Sequence, residues 1–118
     1  MNNLKIKVKA PPDIKLDLQP LPIKYPEDYR EIIEEPDKII ITDESISIKY
    51  DYPVRRITFK HFDSKGGFTK YQLYKCICDG YKQLAKGGFI INHVLEELFL
   101  NAVYYDNLFH ICTLHVDS

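Results

Sequence analysis

Apolar residues recur at helical spacing along one long stretch, Phe68 to Lys86 (FTKYQLYKCICDGYKQLAK). Leu73, Ile77, Tyr81 and Leu84 fall on one face with Cys76 and Gly80 beside them, while Lys75, Asp79, Lys82 and Lys86 form a mainly basic outer stripe. The start of this helix is written out. Thr69 is an N-cap, and Gln72 three places on completes a Thr-x-x-Gln capping box, each side chain answering a backbone N–H that the first turn leaves without a partner. Phe68 sits where a staple onto Leu73 belongs, and Gly87-Gly88 ends the run.

Elsewhere the period is two. Leu4, Ile6 and Val8 alternate with lysines, and Ile14, Leu16 and Leu18 with Lys15 and Asp17. Pro11-Pro12, Pro20 and Pro22 bar helix there, so residues 1–24 read as an extended arm along a sheet edge or a neighbouring subunit. Tyr25 to Glu35 (YPEDYREIIEE) predicts a short acidic helix stopped by Pro36. Ile39 to Ile41, Ile46 to Tyr52 and Arg55 to Phe62 predict strands, the last with Ile57, Phe59 and His61 on one side. Residues 63–67 form the loop into the helix. Residues 89–97 predict an irregular apolar lid or a turn of helix. Leu98 to Tyr105 and Leu108 to Val116 predict a hairpin around Asp106-Asn107.

The expected fold is therefore α+β: an antiparallel sheet in ββαββ order with one main helix packed on it, an extended N-terminal arm (1–24) and a short acidic helix, residues 25–118 forming a single domain. Both strands of the last hairpin read as apolar on two sides, which calls for two covers where the chain supplies one helix. A homodimer follows as an expectation, with Phe99, Val103, Phe109 and Ile111 at its interface.

Charge changes the picture because it is segregated. The formal net charge of the 118 residues is −1. Residues 1–24 carry +3, residues 25–51 carry −6, residues 52–86 carry +6 (eight Lys or Arg against two Asp), and residues 87–118 carry −4. Arg55, Arg56, Lys60, Lys65, Lys70, Lys75 and Lys82 lie on one strand, the following loop and the helix stripe, and are the candidate phosphate contacts for double-stranded DNA bound with low sequence specificity. The other reading of the same residues is a solvated face that balances the acidic helix. An architectural or protein-interaction module using the apolar hairpin and the arm is the alternative function.

Chemistry is scarce by comparison. Cys76-x-Cys78 on a helix points two thiols apart, and no CxxC or HxxxH occurs, so no metal or other cofactor is expected. There is no Walker loop, GxGxxG or nucleophile elbow, and no enzyme activity is expected. A Cys76 or Cys112 nucleophile activated by His93 is the catalytic reading, weighed against buried structural thiols. No apolar run is long enough to span a membrane, and three cysteines suit free thiols in a reducing, intracellular compartment.

Tyr50 to Pro53 (YDYP), Gly67 to Thr69 (GFT), Tyr81 midway along the helix, His93 followed by Glu97-Leu98, and the closing Asp117-Ser118 together resemble a family of small, mostly uncharacterised proteins of giant DNA viruses and some protists. The resemblance covers a little over half of the chain. Many members carry an aromatic-Gly pair before the His, where Ile91-Asn92 stands here. What the resemblance implies is a viral or virus-like intracellular protein of host cytoplasm, viral factory or virion, with dimerisation and DNA binding as expectations.

Overall fold

The computed structural model describes residues 14–118, and for residues 14–19 the backbone alone. The alternating Lys and aliphatic run at residues 4–9 lies outside the described residues. Seven strands and one α-helix follow in the order β1 (Ile14–Pro22), β2 (Ile39–Ile41), β3 (Ser45–Tyr50), β4 (Thr58–Asp63), β5 (Phe68–Thr69), α1 (Lys70–Lys86), β6 (Phe99–Asp106) and β7 (Ile111–Asp117). Two 3-10 turns, Pro26–Ile32 and Leu95–Glu97, complete the list.

The helix begins as its sequence requires. Gln72 N–H donates to Thr69 Oγ1 at 3.1 Å and Thr69 N–H donates to Gln72 Oε1 at 2.8 Å, which is the reciprocal capping box. Leu73, Tyr74, Ile77, Cys78, Tyr81 and Leu84 are buried against the sheet. β5 pairs with β2 as a small second sheet that lifts the chain onto the helix. Gly67 makes this possible: its φ is +97°, and a Cβ there would stand 2.3 Å from the Ile41 carbonyl oxygen.

The main sheet has the order β1-β6-β7-β3-β4 and is mixed. The fold is α+β with one main helix, as expected, but the all-antiparallel ββαββ arrangement is not what forms. β3 and β7 run parallel, with Ser47, Ile48 and Lys49 opposite Ile111, Cys112 and Thr113. The helix is the reason. A strand, a helix and a strand in one sheet return the chain to the end where it started, so β4 and β6 run the same way. Each then pairs antiparallel with its hairpin partner, β3 or β7, and where the two partners meet they must be parallel. The arm adds a fifth strand: β1 runs antiparallel to β6, and Leu21 and Ile23 enter the domain's own core.

A second correction concerns the hairpin. Strict alternation puts Phe99 and Val103 on one face; a bulge between Leu100 and Ala102 breaks it. The extra residue turns Val103 and Tyr105 toward the helix together with Leu100, and all three are buried. Phe99 and Tyr104 are left on the opposite face, each partly exposed. The bulge thus gathers the strand's large aliphatics on the helix side.

The acidic segment is shorter than expected and winds as a 3-10 turn. No side chain caps it, and Ile33 leaves the turn in an extended conformation and is buried.

Candidate functional site

The basic residues do not form one uninterrupted surface. The acidic segment folds back on the first half of α1: Lys75 lies 3.4 Å from Glu27 and 3.8 Å from Asp79, and Lys70 Nζ donates to the Glu34 carbonyl at 2.9 Å. Arg30 lies over the Tyr71 ring and pairs with Asp37. The second half of the helix differs. Arg55, Arg56, Lys60, Lys65, Lys82 and Lys86 form no ion pair among the described residues, and all but half-buried Lys60 are exposed. Arg55 is moored beside the helix end, its Nε donating to the Gly88 carbonyl at 3.0 Å, where a cation also meets the negative end of the helix dipole. Lys65 lies at the far end of β4 from Arg55 and Arg56.

The four residues expected at a dimer interface are scattered. Val103 is 1% exposed in the chain's own core and cannot reach a partner. Phe99 and Ile111 lie at opposite ends of the β6–β7 ladder, and Phe109 stands exposed in the turn between those strands.

Cys78 and Cys112 are buried and Cys76 is half-buried. Burial pushes the Cys76 thiol up to about 11 and the Cys112 thiol up to about 12, and Cys78 rises further for the same reason. A cysteine nucleophile needs the opposite shift. No group of three or more metal-ligating side chains occurs among the described residues. His110, expected on β7, stands instead in the turn before it with φ +58°, its Nδ1 3.1 Å from Asp43.

One constellation was not read from the sequence as chemistry. His93 Nδ1 is 3.0 Å from Glu97 Oε1, an oxygen that also accepts the Val94 backbone N–H at 3.2 Å. With the Nδ1 proton on that carboxylate, the Nε2 lone pair is directed at two hydroxyls: Tyr52 at 3.3 Å and Ser118 at 3.5 Å. The hydroxyls are 2.7 Å from each other. The hydrogen bond from His93, and then that from Val94, holds the Glu97 carboxyl below the usual carboxylate range. Tyr52 is in turn anchored through its backbone, since the buried Tyr81 hydroxyl donates to the Tyr52 carbonyl at 2.5 Å. Beside His93 lies a hollow of about 330 Å³ whose wall includes Ala85, Ile90, Val94 and Leu95.

No protein-family model matches the chain, and no match was found among curated proteins or solved structures. No helix among the described residues is long and apolar enough to cross a membrane.

Proposed function

We propose that the protein binds double-stranded DNA through its phosphate backbone, using the cations around the C-terminal end of α1. The observation that carries this reading is the division of the basic residues into two sets. Lys70 and Lys75 are spent on the acidic segment, whereas Arg55, Arg56, Lys60, Lys82 and Lys86 have no acidic partner within ion-pair distance among the described residues. Lys and Arg that are exposed and unpaired neutralise phosphates without base contacts, which suits low sequence specificity.

The test is a fluorescence-anisotropy titration on random-sequence duplex at several salt concentrations. Five phosphates neutralised, one by each of these cations, give a log-log slope of about −4.5. Replacing Arg55 and Arg56 with Ala should flatten the slope by about 2, while Lys70→Ala and Lys75→Ala should leave it where it is. Binding that is absent at low salt, or indifferent to the Arg pair, would refute the reading.

A further inference from the structure

We infer that Tyr52, His93, Glu97 and Ser118 form an acyl-transfer site that takes small carboxylic esters, with Ser118 as nucleophile. The geometry assigns the roles. Glu97 is the positioning residue, fixing the imidazole by the 3.0 Å bond to Nδ1. His93 Nε2 is the base, facing the Ser118 hydroxyl at 3.5 Å. Tyr52, whose hydroxyl lies 3.3 Å from His93 Nε2 and 2.7 Å from Ser118 Oγ, is placed to turn its single O–H proton to the oxyanion formed next to Ser118 Oγ.

Position in the sheet supports a ligand site here. Tyr52 and Ser118 stand just beyond the carboxyl ends of β3 and β7, the two adjacent parallel strands, and His93 arrives on the crossover from α1 to β6. In sheets with parallel strands this edge is where connecting segments converge and ligands bind. The His93 side chain is 27% exposed, open enough for a substrate to reach. The adjoining hollow has the Lys24–Glu96 ion pair in its wall as well as Ala85, Ile90, Val94 and Leu95, room for a small ester with a polar end.

The step balances without any co-reactant beyond water. Ser118 Oγ bonds to the ester carbonyl carbon as its proton passes to His93 Nε2, and Tyr52 donates to the resulting oxyanion. The C–O bond to the alcohol breaks, and the alcohol leaves with the proton from His93. Water then adds to the acyl carbon, giving its proton to His93; the Ser118 C–O bond breaks, the serine recovers that proton, and the carboxylic acid departs.

The probe is p-nitrophenyl acetate, with the full chain. Expected are release of nitrophenolate and an acetyl group found by peptide mass spectrometry on Ser118. Ser118→Ala and His93→Gln should each lower the rate by about 100-fold or more, and Tyr52→Phe by about 10²–10³-fold. Glu97→Gln should lower the rate and change its pH profile, which a purely structural role would not do. Thermal melts of each variant separate loss of chemistry from loss of fold, and Ser118→Ala removes one exposed hydroxyl that the core does not use. Equal rates for the wild type and Ser118→Ala, or acetyl found only on lysines or on Tyr52, would overturn the inference.

Discussion

Gly80→Ala tests how the helix is seated on the sheet. In an isolated helix the change is favourable by about 1 kcal/mol, because glycine loses more backbone entropy than alanine on folding. Here a Cβ at position 80 would stand 1.9 Å from the Tyr50 hydroxyl oxygen, 2.4 Å from its Cζ and 2.9 Å from its Cε2. Tyr50 has nowhere to go. It is fully buried at the end of β3, its hydroxyl donates to the Ile77 carbonyl at 3.0 Å, and its ring meets Tyr81 edge-on at 4.9 Å. Overpacking costs about 1–3 kcal/mol, and pulling the buried hydroxyl off its acceptor costs about 1–3 kcal/mol more. Set against the helical gain, the net loss is about 3 kcal/mol, a drop of roughly two orders of magnitude in the folding equilibrium. Urea unfolding followed by circular dichroism reads this directly as a lower midpoint at unchanged slope. A double-mutant cycle isolates the contact: with Tyr50→Ala already in place, Gly80→Ala should become neutral or stabilising. If Gly80→Ala alone raises stability by about 1 kcal/mol, the helix does not rest on Tyr50 and the packing described here is wrong.

Four further outcomes follow. Thr69→Ala removes an acceptor from the capping box and should lower stability by about 0.5–2 kcal/mol in the same assay. At pH 8 a disulfide-exchange reagent should modify the native protein slowly, with half-buried Cys76 first, then all three thiols at once on adding denaturant; fast native labelling would contradict the enclosed thiols. Glu27, Asp63, Glu96 and Glu97 are held below the ordinary carboxylate range by hydrogen bonds from the Glu27 backbone N–H, Ser45, Lys24 and His93 in turn. Depressed folded values mean stability that is present above the unfolded pKa of about 4 and lost as pH falls through the lower folded one, so the melting temperature should drop on acidification below about pH 4 and not on going from pH 7 to 5 on their account. Light scattering at micromolar concentration should give a monomer mass, since Val103 is enclosed in its own core and Phe99, Phe109 and Ile111 are scattered; a dimer mass would turn attention to exposed Leu108 and Phe109.

What could be read from the sequence was local. The capping box, the buried helix face and the alternation of Ile46, Ile48 and Tyr50 depend on residues within one or two turns of each other, and all three stand in the structure. The bulge at Asn101 was hidden because it leaves no residue signature: Leu100, Ala102 and Val103 are all apolar, so hydrophobicity alone does not reveal where the period slips. The pairing of basic and acidic residues was hidden for a different reason. Glu27 and Lys75 are far apart in the chain, and only the return of the acidic segment over α1 brings them to 3.4 Å. Phosphate contacts proposed from a charge run therefore included two lysines that have partners at home.

The parallel pairing of β3 and β7 has the largest functional consequence. In register, Lys49 lies opposite Thr113, and both strands run on toward the same edge, where Tyr52 and Ser118 follow. Had β7 run antiparallel to β3, as a plain hairpin-on-hairpin sheet would have it, Ser118 would lie near Ser45. At about 3.3 Å per residue that is roughly 20 Å from Tyr52, too far for any hydrogen bond. The 2.7 Å contact between their hydroxyls is thus a product of strand direction, and strand direction is a product of the helical crossover. His93 shares this dependence, because the segment that carries it is the second half of the same crossover, pinned by the bridge between Ile90 and Val54 and by the Leu95–Glu97 turn. Each residue of the cluster is unremarkable at its own place in the sequence: a tyrosine before a proline, a histidine in an irregular loop, a glutamate in one turn of 3-10 helix, a serine after a strand. Their chemistry exists only once three separate connections end on one edge of the sheet, and that convergence is fixed by the same helix whose capping box opens at Thr69.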